Sequence, residues 1–113
     1  MTIELTVNYY RNVVVVVVVD RHIIEYIGCG SWDTSSHNAA KSTVFLVEEF
    51  VDGGTLMRVV CRQMESEEEL YRLEDAVRWL VGIAQGLKYL HQCQPMVIHR
   101  DLKLENILMS GKE

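Results

Sequence analysis

Close cysteine pairs, basic runs and long apolar stretches are all missing from this sequence, and each absence closes off a class of function. Cys29, Cys61 and Cys93 are its three cysteines, and they lie far apart. They offer neither the close pairs of a zinc site nor the dense spacing of a secreted disulfide scaffold, so a reducing cytosol or nucleus is expected. Acidic residues outnumber basic ones by 16 to 11, for a formal charge of −5. The longest charge run, residues 67–69, is itself acidic, so no basic stripe awaits a phosphate backbone and nucleic acid is not an expected partner. No basic signal-peptide segment opens the sequence. The apolar run at residues 13–19 is far shorter than the ~20 residues a membrane helix needs, so no membrane association is expected.

What is present suffices for one small domain, since 49% of the 113 residues are hydrophobic and a chain of that size buries a modest core. Residues 1–20 carry the valine run and receive no role. β-Branched throughout, that run favours an extended strand, but it lacks the alternation that would assign a buried face. Residues 23–27 read as a short strand ended by a turn at Gly28, Cys29, Gly30 and Ser31, followed by a polar loop over 32–42. Residues 43–50 read as a second strand, forming a hairpin with the first across a long connection. Asp52, Gly53 and Gly54 break it, and a short helix is expected over 55–60, with 61–65 as its exit.

The clearest helix follows, because Leu70, Leu73, Val77, Leu80, Ala84, Leu87 and Leu90 or His91 recur at steps of three and four and predict one core face. Ser66 and Glu69 make a capping-box pattern at its start, and Pro95 marks its stop. Two brief buried strands are expected at 96–98 and 107–109. Trp79, Met57, Met64 and Met96 read as packing residues, and His22, His37 and His91 are too scattered to suggest a site.

Between those two strands lies the string His99, Arg100, Asp101, Leu102, Lys103, Leu104, Glu105, Asn106. Strands at both ends would fix side-chain directions, so that Asp101 orients a hydroxyl nucleophile and Lys103 offers positive charge to a transferring anion. Asn106 would supply a neutral oxygen to a hard cation such as Mg²⁺. Self-paired surface charge is the default for any single Asp, Lys or Asn, but the whole order follows the pattern H-R-D-L-x-x-x-N.

That string resembles the catalytic loop of eukaryotic protein kinases, and Lys103, two places after Asp101, is similar to the serine/threonine group. The resemblance implies that Asp101 accepts or orients the hydroxyl proton, Lys103 steadies the γ-phosphate and Asn106 binds Mg²⁺. It also implies that Arg100 pairs with a phosphorylated activation loop and that His99 packs. Residues 44–56, VFLVEEFVDGGTL, resemble the strand, hinge and helix start that hold adenine. On that resemblance the backbone of Glu49 and Val51 bonds the adenine edge, Thr55 lies near the ribose, and Leu56 and Leu108 form the apolar floor. Within the family, GGTL, IAQGLKYLH and HRDLKLEN look closest to mixed-lineage, Raf-like and plant-type serine/threonine kinases.

The implied fold is α+β, a partial kinase-like domain over residues 21–113. Strands and hinge occupy 21–54, as the end of a small lobe, and the helical region with the catalytic loop occupies 55–113, as the start of a large lobe. The implied activity is transfer of the ATP γ-phosphate to protein Ser/Thr hydroxyls, with ATP and Mg²⁺ as cofactors and a protein as substrate. Departures are equally plain: no G-x-G-x-x-G loop, no V-A-I-K lysine, no helix glutamate, and no D-F-G or A-P-E segment is found. Lys41 lies in the polar loop and is not given the clamp role. Glu48 stands at the gatekeeper position, where an apolar residue or Thr is usual, and Asp20, Arg21 and His22 stand where many kinases have H-P-N. The chain alone is therefore expected to be inactive. Alternatives are a non-catalytic module that pairs with another kinase or a regulator, and a decayed gene-model fragment.

Overall fold

A computed structural model describes residues 2–3, 21–33 and 42–110; the valine run and residues 34–41, Lys41 among them, lie outside the described residues, and the described ends of the polar loop expected over 32–42 are strand, Trp32 and Asp33 on one side and Ser42 on the other. Strand β1 (Thr2–Ile3) is followed by β2 (Tyr26–Asp33), β3 (Ser42–Glu48), helices α1 (Leu56–Glu65) and α2 (Leu73–Gln92), a 3-10 turn (Leu104–Asn106) and β4 (Ile107–Leu108). A small antiparallel sheet followed by helices is the α+β arrangement expected of a partial kinase-like domain.

β2 and β3 pair antiparallel from Tyr26↔Glu48 to Asp33↔Ser42, with an irregularity between Tyr26 and Gly28. The turn expected at residues 28–31 is therefore strand. Glycine in a strand also marks a close approach, and here the Phe45 ring occupies the space where a Gly30 side chain would stand. Thr55 caps α1, its Oγ1 accepting the Arg58 N–H at 3.3 Å, and the helix runs on through residues 61–65, which were expected to be an exit.

Ser66 does not start α2. It is the C-cap of α1, and its Oγ accepts the Glu68 N–H at 3.1 Å. Gln63 closes the same connection, accepting from the Leu70 N–H at 2.7 Å and donating to the Glu68 carbonyl at 3.1 Å. α2 starts seven residues after Ser66, at Leu73, where Asp75 Oδ2 accepts the Arg72 N–H at 3.1 Å. Glu74 and Asp75 in the first turn and His91 in the last complement the helix dipole.

The core forms around Ile23, Leu56, Leu90 and Ile107, four residues from four separate segments. α2 reaches it with Gly82, Gly86 and Leu90, all buried, and with Trp79, Ile83 and Leu87 at its margin. The expected face is only partly right. Leu87 and Leu90 do point inward, but Leu73, Val77, Leu80 and Leu70 are exposed, as are Ala84 and His91. At 1.5 Å per residue, a helix of 20 residues is about 30 Å long, more than this small cluster can cover. Trp79 packs as expected, with its ring 4.9 Å from that of Tyr71. Met64 and Met96 are exposed, against the packing role expected of them, and residues 96–98 form no strand, Ile98 being exposed as well.

β4 has neighbours on both edges. β1 pairs with it through Thr2↔Leu108 and Ile3↔Ile107, and Thr55 bridges Leu108 antiparallel from the other side. Two substitutions in α2 test the core assignment by urea denaturation. Leu90→Ala, at a site 0% exposed, is expected to lower stability by about 2–5 kcal/mol. Leu80→Ala, at 64% exposure, should change it by less than about 0.5 kcal/mol. Equal losses would refute the assignment.

Candidate active site

The segment leaving α2 is tethered where the Val97 N–H donates to the Leu90 carbonyl at 3.0 Å, within the last turn of the helix. Beyond it the chain comes to the surface, and residues 100–105 are all exposed. Arg100 has a φ of 65°, a left-handed conformation that costs a residue with a Cβ about 1–2 kcal/mol. Strained backbone of this kind concentrates at functional sites. It directs the next residue back on the loop, so that the Asp101 N–H donates to His99 Nδ1 at 3.2 Å, with His99 half-buried.

Asp101, Lys103 and Asn106 converge. Lys103 Nζ lies 3.0 Å from Asp101 Oδ2, and Asn106 Nδ2 donates to that same oxygen at 2.9 Å and to the Asp101 carbonyl at 2.8 Å. The 3-10 turn makes this reach possible, closing with the Asn106 N–H on the Lys103 carbonyl at 3.0 Å and bringing a residue five places on against Asp101. The Lys103 ammonium, followed by the Asn106 amide, holds the Asp101 carboxyl below its ordinary value, against the opposing effect of desolvation. Asp101 is thus a fixed anion and a weak base. Because the Asn106 amide nitrogen is spent on Asp101, its oxygen is the atom suited to a hard cation, and it is one ligand only. No cluster of three His, Cys, Asp or Glu side chains suited to a metal exists among the described residues.

The second group of candidates lies at the end of β3. The Glu49 N–H donates to the Glu25 carbonyl at 2.9 Å, while the Glu25 N–H donates to Glu49 Oε2 at 2.9 Å. This reciprocal pair ties the end of β3 to the segment that leads into β2. Glu48 is half-buried, Val51 is half-buried and Phe50 is exposed. Thr55 and Leu108 are brought together by their bridge, and Leu56 is buried within the core cluster. Sequence reasoning did not find the Glu25 partner, or the bond from the Met109 N–H to the Gly54 carbonyl at 2.8 Å; a glycine directly before a helix cap was the available signal for the latter. A shallow hollow of about 630 Å³, lined by Glu69, Arg72, Leu73, Glu74 and Val77, is at the start of α2 and shares no residue with either group.

A family model for the protein kinase domain matches residues 13–113. A probable serine/threonine-protein kinase of Arabidopsis thaliana, SIS8, is 41% identical over 64 residues, covering 57% of this chain and 6% of that protein. A probable serine/threonine-protein kinase of Oryza sativa subsp. japonica, WNK9, is 35% identical over 71 residues, covering 63% of this chain and 16% of its own length. An LRR receptor-like serine/threonine-protein kinase of Arabidopsis thaliana, GSO1, is 30% identical over 95 residues, or 80% of this chain and 7% of the relative. The chain thus spans only a small part of the length of each of these proteins.

The charge arrangement around Asp101 has a direct readout. Because Lys103 is the largest cause of the lowered carboxyl pKa, Lys103→Ala should move the Asp101 titration to higher pH, toward the ordinary carboxylate range. Side-chain carboxyl NMR would follow it. The anion is complete above the ordinary value and is lost as pH falls through the lowered one, so the wild-type midpoint should lie on the acid side of the variant's. Identical midpoints would show that the ion pair does not form.

Proposed function

The chain belongs to the protein kinase domain family, and from that premise we propose that it forms the hinge and catalytic loop of a serine/threonine kinase that phosphorylates protein hydroxyls. The hydrogen-bonded set Asp101, Lys103 and Asn106 carries this reading. Asp101 receives the acceptor hydroxyl at its carboxylate, whose Oδ2 is held by Lys103 and Asn106, and aims its lone pair along the line of attack. Being a weak base, it orients the hydroxyl first and takes the proton late. The acceptor oxygen bonds to the γ-phosphorus, the bond from that phosphorus to the bridging oxygen breaks, and ADP leaves with the electron pair. Lys103, exposed beside Asp101, sets positive charge where negative charge gathers on the transferring group.

Members of this family use ATP and Mg²⁺. Here Asn106 would hold Mg²⁺ through its amide oxygen, and the adenine edge would meet the Glu49 carbonyl and the Val51 backbone, with Thr55 near the ribose and Leu108 beneath the ring. When bound, Mg²⁺ supplies neutralisation of phosphate charge. We place the protein in a reducing cytosol or nucleus, a reading that rests on the wide sequence spacing of Cys29, Cys61 and Cys93. No helix among the described residues is long and apolar enough to cross a membrane.

A second reading rests on the exposed apolar half of α2, with Leu73, Val77, Leu80 and Val81 all at least half uncovered. Such a surface marks a docking face when it is contiguous, and it supports a non-catalytic module that pairs with another kinase or a regulator. The readings part on activity. Phosphoryl transfer from MgATP to serine and threonine peptides by the full-length protein should fall about 10²- to 10⁴-fold in Asp101→Asn. Activity that survives this change would remove Asp101 from its role; no transfer by the wild type, together with a stable complex with a second kinase, would favour the module.

A further inference from the structure

The loop that carries Asp101 and Asn106 has two moorings of unequal reach. Upstream, the Val97 N–H holds the Leu90 carbonyl at 3.0 Å, nine residues before Asn106. Downstream, Ile107 is 1% exposed, Leu108 bridges Thr55, and the Met109 N–H donates to the Gly54 carbonyl at 2.8 Å, three residues after Asn106. α1, which begins directly after Thr55, also packs against the 3-10 turn containing Asn106. β1 also pairs with Ile107 and Leu108, so the nearer mooring is shared by β1 and the hinge side of the chain, and Gly54 is only three places from Val51.

Gly54 adopts a φ of 76°. A Cβ built there would meet nothing closer than Arg58 Cδ at 3.8 Å, which is an ordinary contact, so space does not require glycine. The left-handed backbone does: glycine adopts it freely, Asn tolerates it, and other residues are penalised. With φ forced negative, the chain would enter Thr55 on a different path and the Gly54 carbonyl would leave Met109.

We propose that Gly54 is a positioning residue that sets the orientation of Asn106 through the Gly54–Met109 hydrogen bond, so that the adenine end and the metal end of the nucleotide site move as one. The ligand assignments rest on the kinase reading; the mechanical link does not. It makes the hinge and Asn106 interdependent: a nucleotide that orders the hinge also steadies Asn106.

The test uses the ¹⁵N-labelled 113-residue chain, first without nucleotide. Gly54→Ala is expected to speed exchange of the Met109 amide about tenfold and to shift the Asn106 side-chain amide toward its free position. The Val97 amide, on the other mooring, should not change. Gly54→Asn should restore both signals. Unmoved signals in Gly54→Ala, or a faster Met109 with Asn106 unmoved, would overturn the proposal. If Gly54→Ala does not fold, low urea applied to the wild type gives the same answer: Met109 and Asn106 must lose protection together and before Val97, and separate losses overturn it. MgADP then separates this proposal from the functional one. Wild type should show shifts at Val51 and Asn106, and Gly54→Ala at Val51 alone; shifts at both in Gly54→Ala would refute the coupling. No shift at either residue in wild type would sink the nucleotide reading and leave the link to be decided by the nucleotide-free experiment.

Discussion

Ile23, Leu56, Leu90 and Ile107 come from four separate parts of the sequence, and their mutual burial is the constraint from which the rest of the structure takes its position. Each is one residue or a few residues from a polar side chain that is exposed or half-buried. Ile23 lies just before Glu25, which grips Glu49; Leu56 directly follows Thr55; Ile107 directly follows Asn106. Burial of such side chains is worth about 1.5–3 kcal/mol each, a large stake in a small domain whose net stability is marginal. Polar groups that must hold a geometry while remaining in water are tied at short range to side chains that are out of it.

The same logic explains the arrangement at Asp101. An exposed carboxylate in a mobile loop would be a poor positional element, because solvent screens it and rotamers compete. Here the strained backbone at Arg100, the amide of Asn106 and the ammonium of Lys103 narrow the available directions. Charge at this site thus serves orientation as much as attraction, and a depressed pKa accompanies that restraint.

Local chemistry was legible wherever one segment alone decided the outcome. The strand expected over 43–50 and found at Ser42–Glu48, the helix capped by Thr55 and the brief strand at Ile107 were all readable, and the order HRDLKLEN carried the family resemblance. Failures occurred where a distant partner decided. Gly28 and Gly30 looked like turn residues until β3 was laid beside them. Ser66 and Glu69 had the spacing of a cap, but Ser66 was already engaged at the end of α1. The face of α2 was misjudged toward its start because periodicity reveals that a stripe exists, not how much of it finds a neighbour. The hold of Glu25 on Glu49 spans 24 residues and leaves no local trace.

Gly30 and Phe45 pair across β2 and β3, with the aromatic ring standing in the volume that any larger residue at 30 would need. Neither position is therefore free to drift alone. A bulkier residue at 30 needs the ring at 45 to move aside and is accommodated most easily after that ring has been reduced, whereas loss of the ring first leaves a gap over a bare backbone. Substitutions at these two places should be historically linked and ordered, with the change at 45 preceding the change at 30. The hairpin thus carries a directional constraint on its own evolution, set by the absence of a single methyl group.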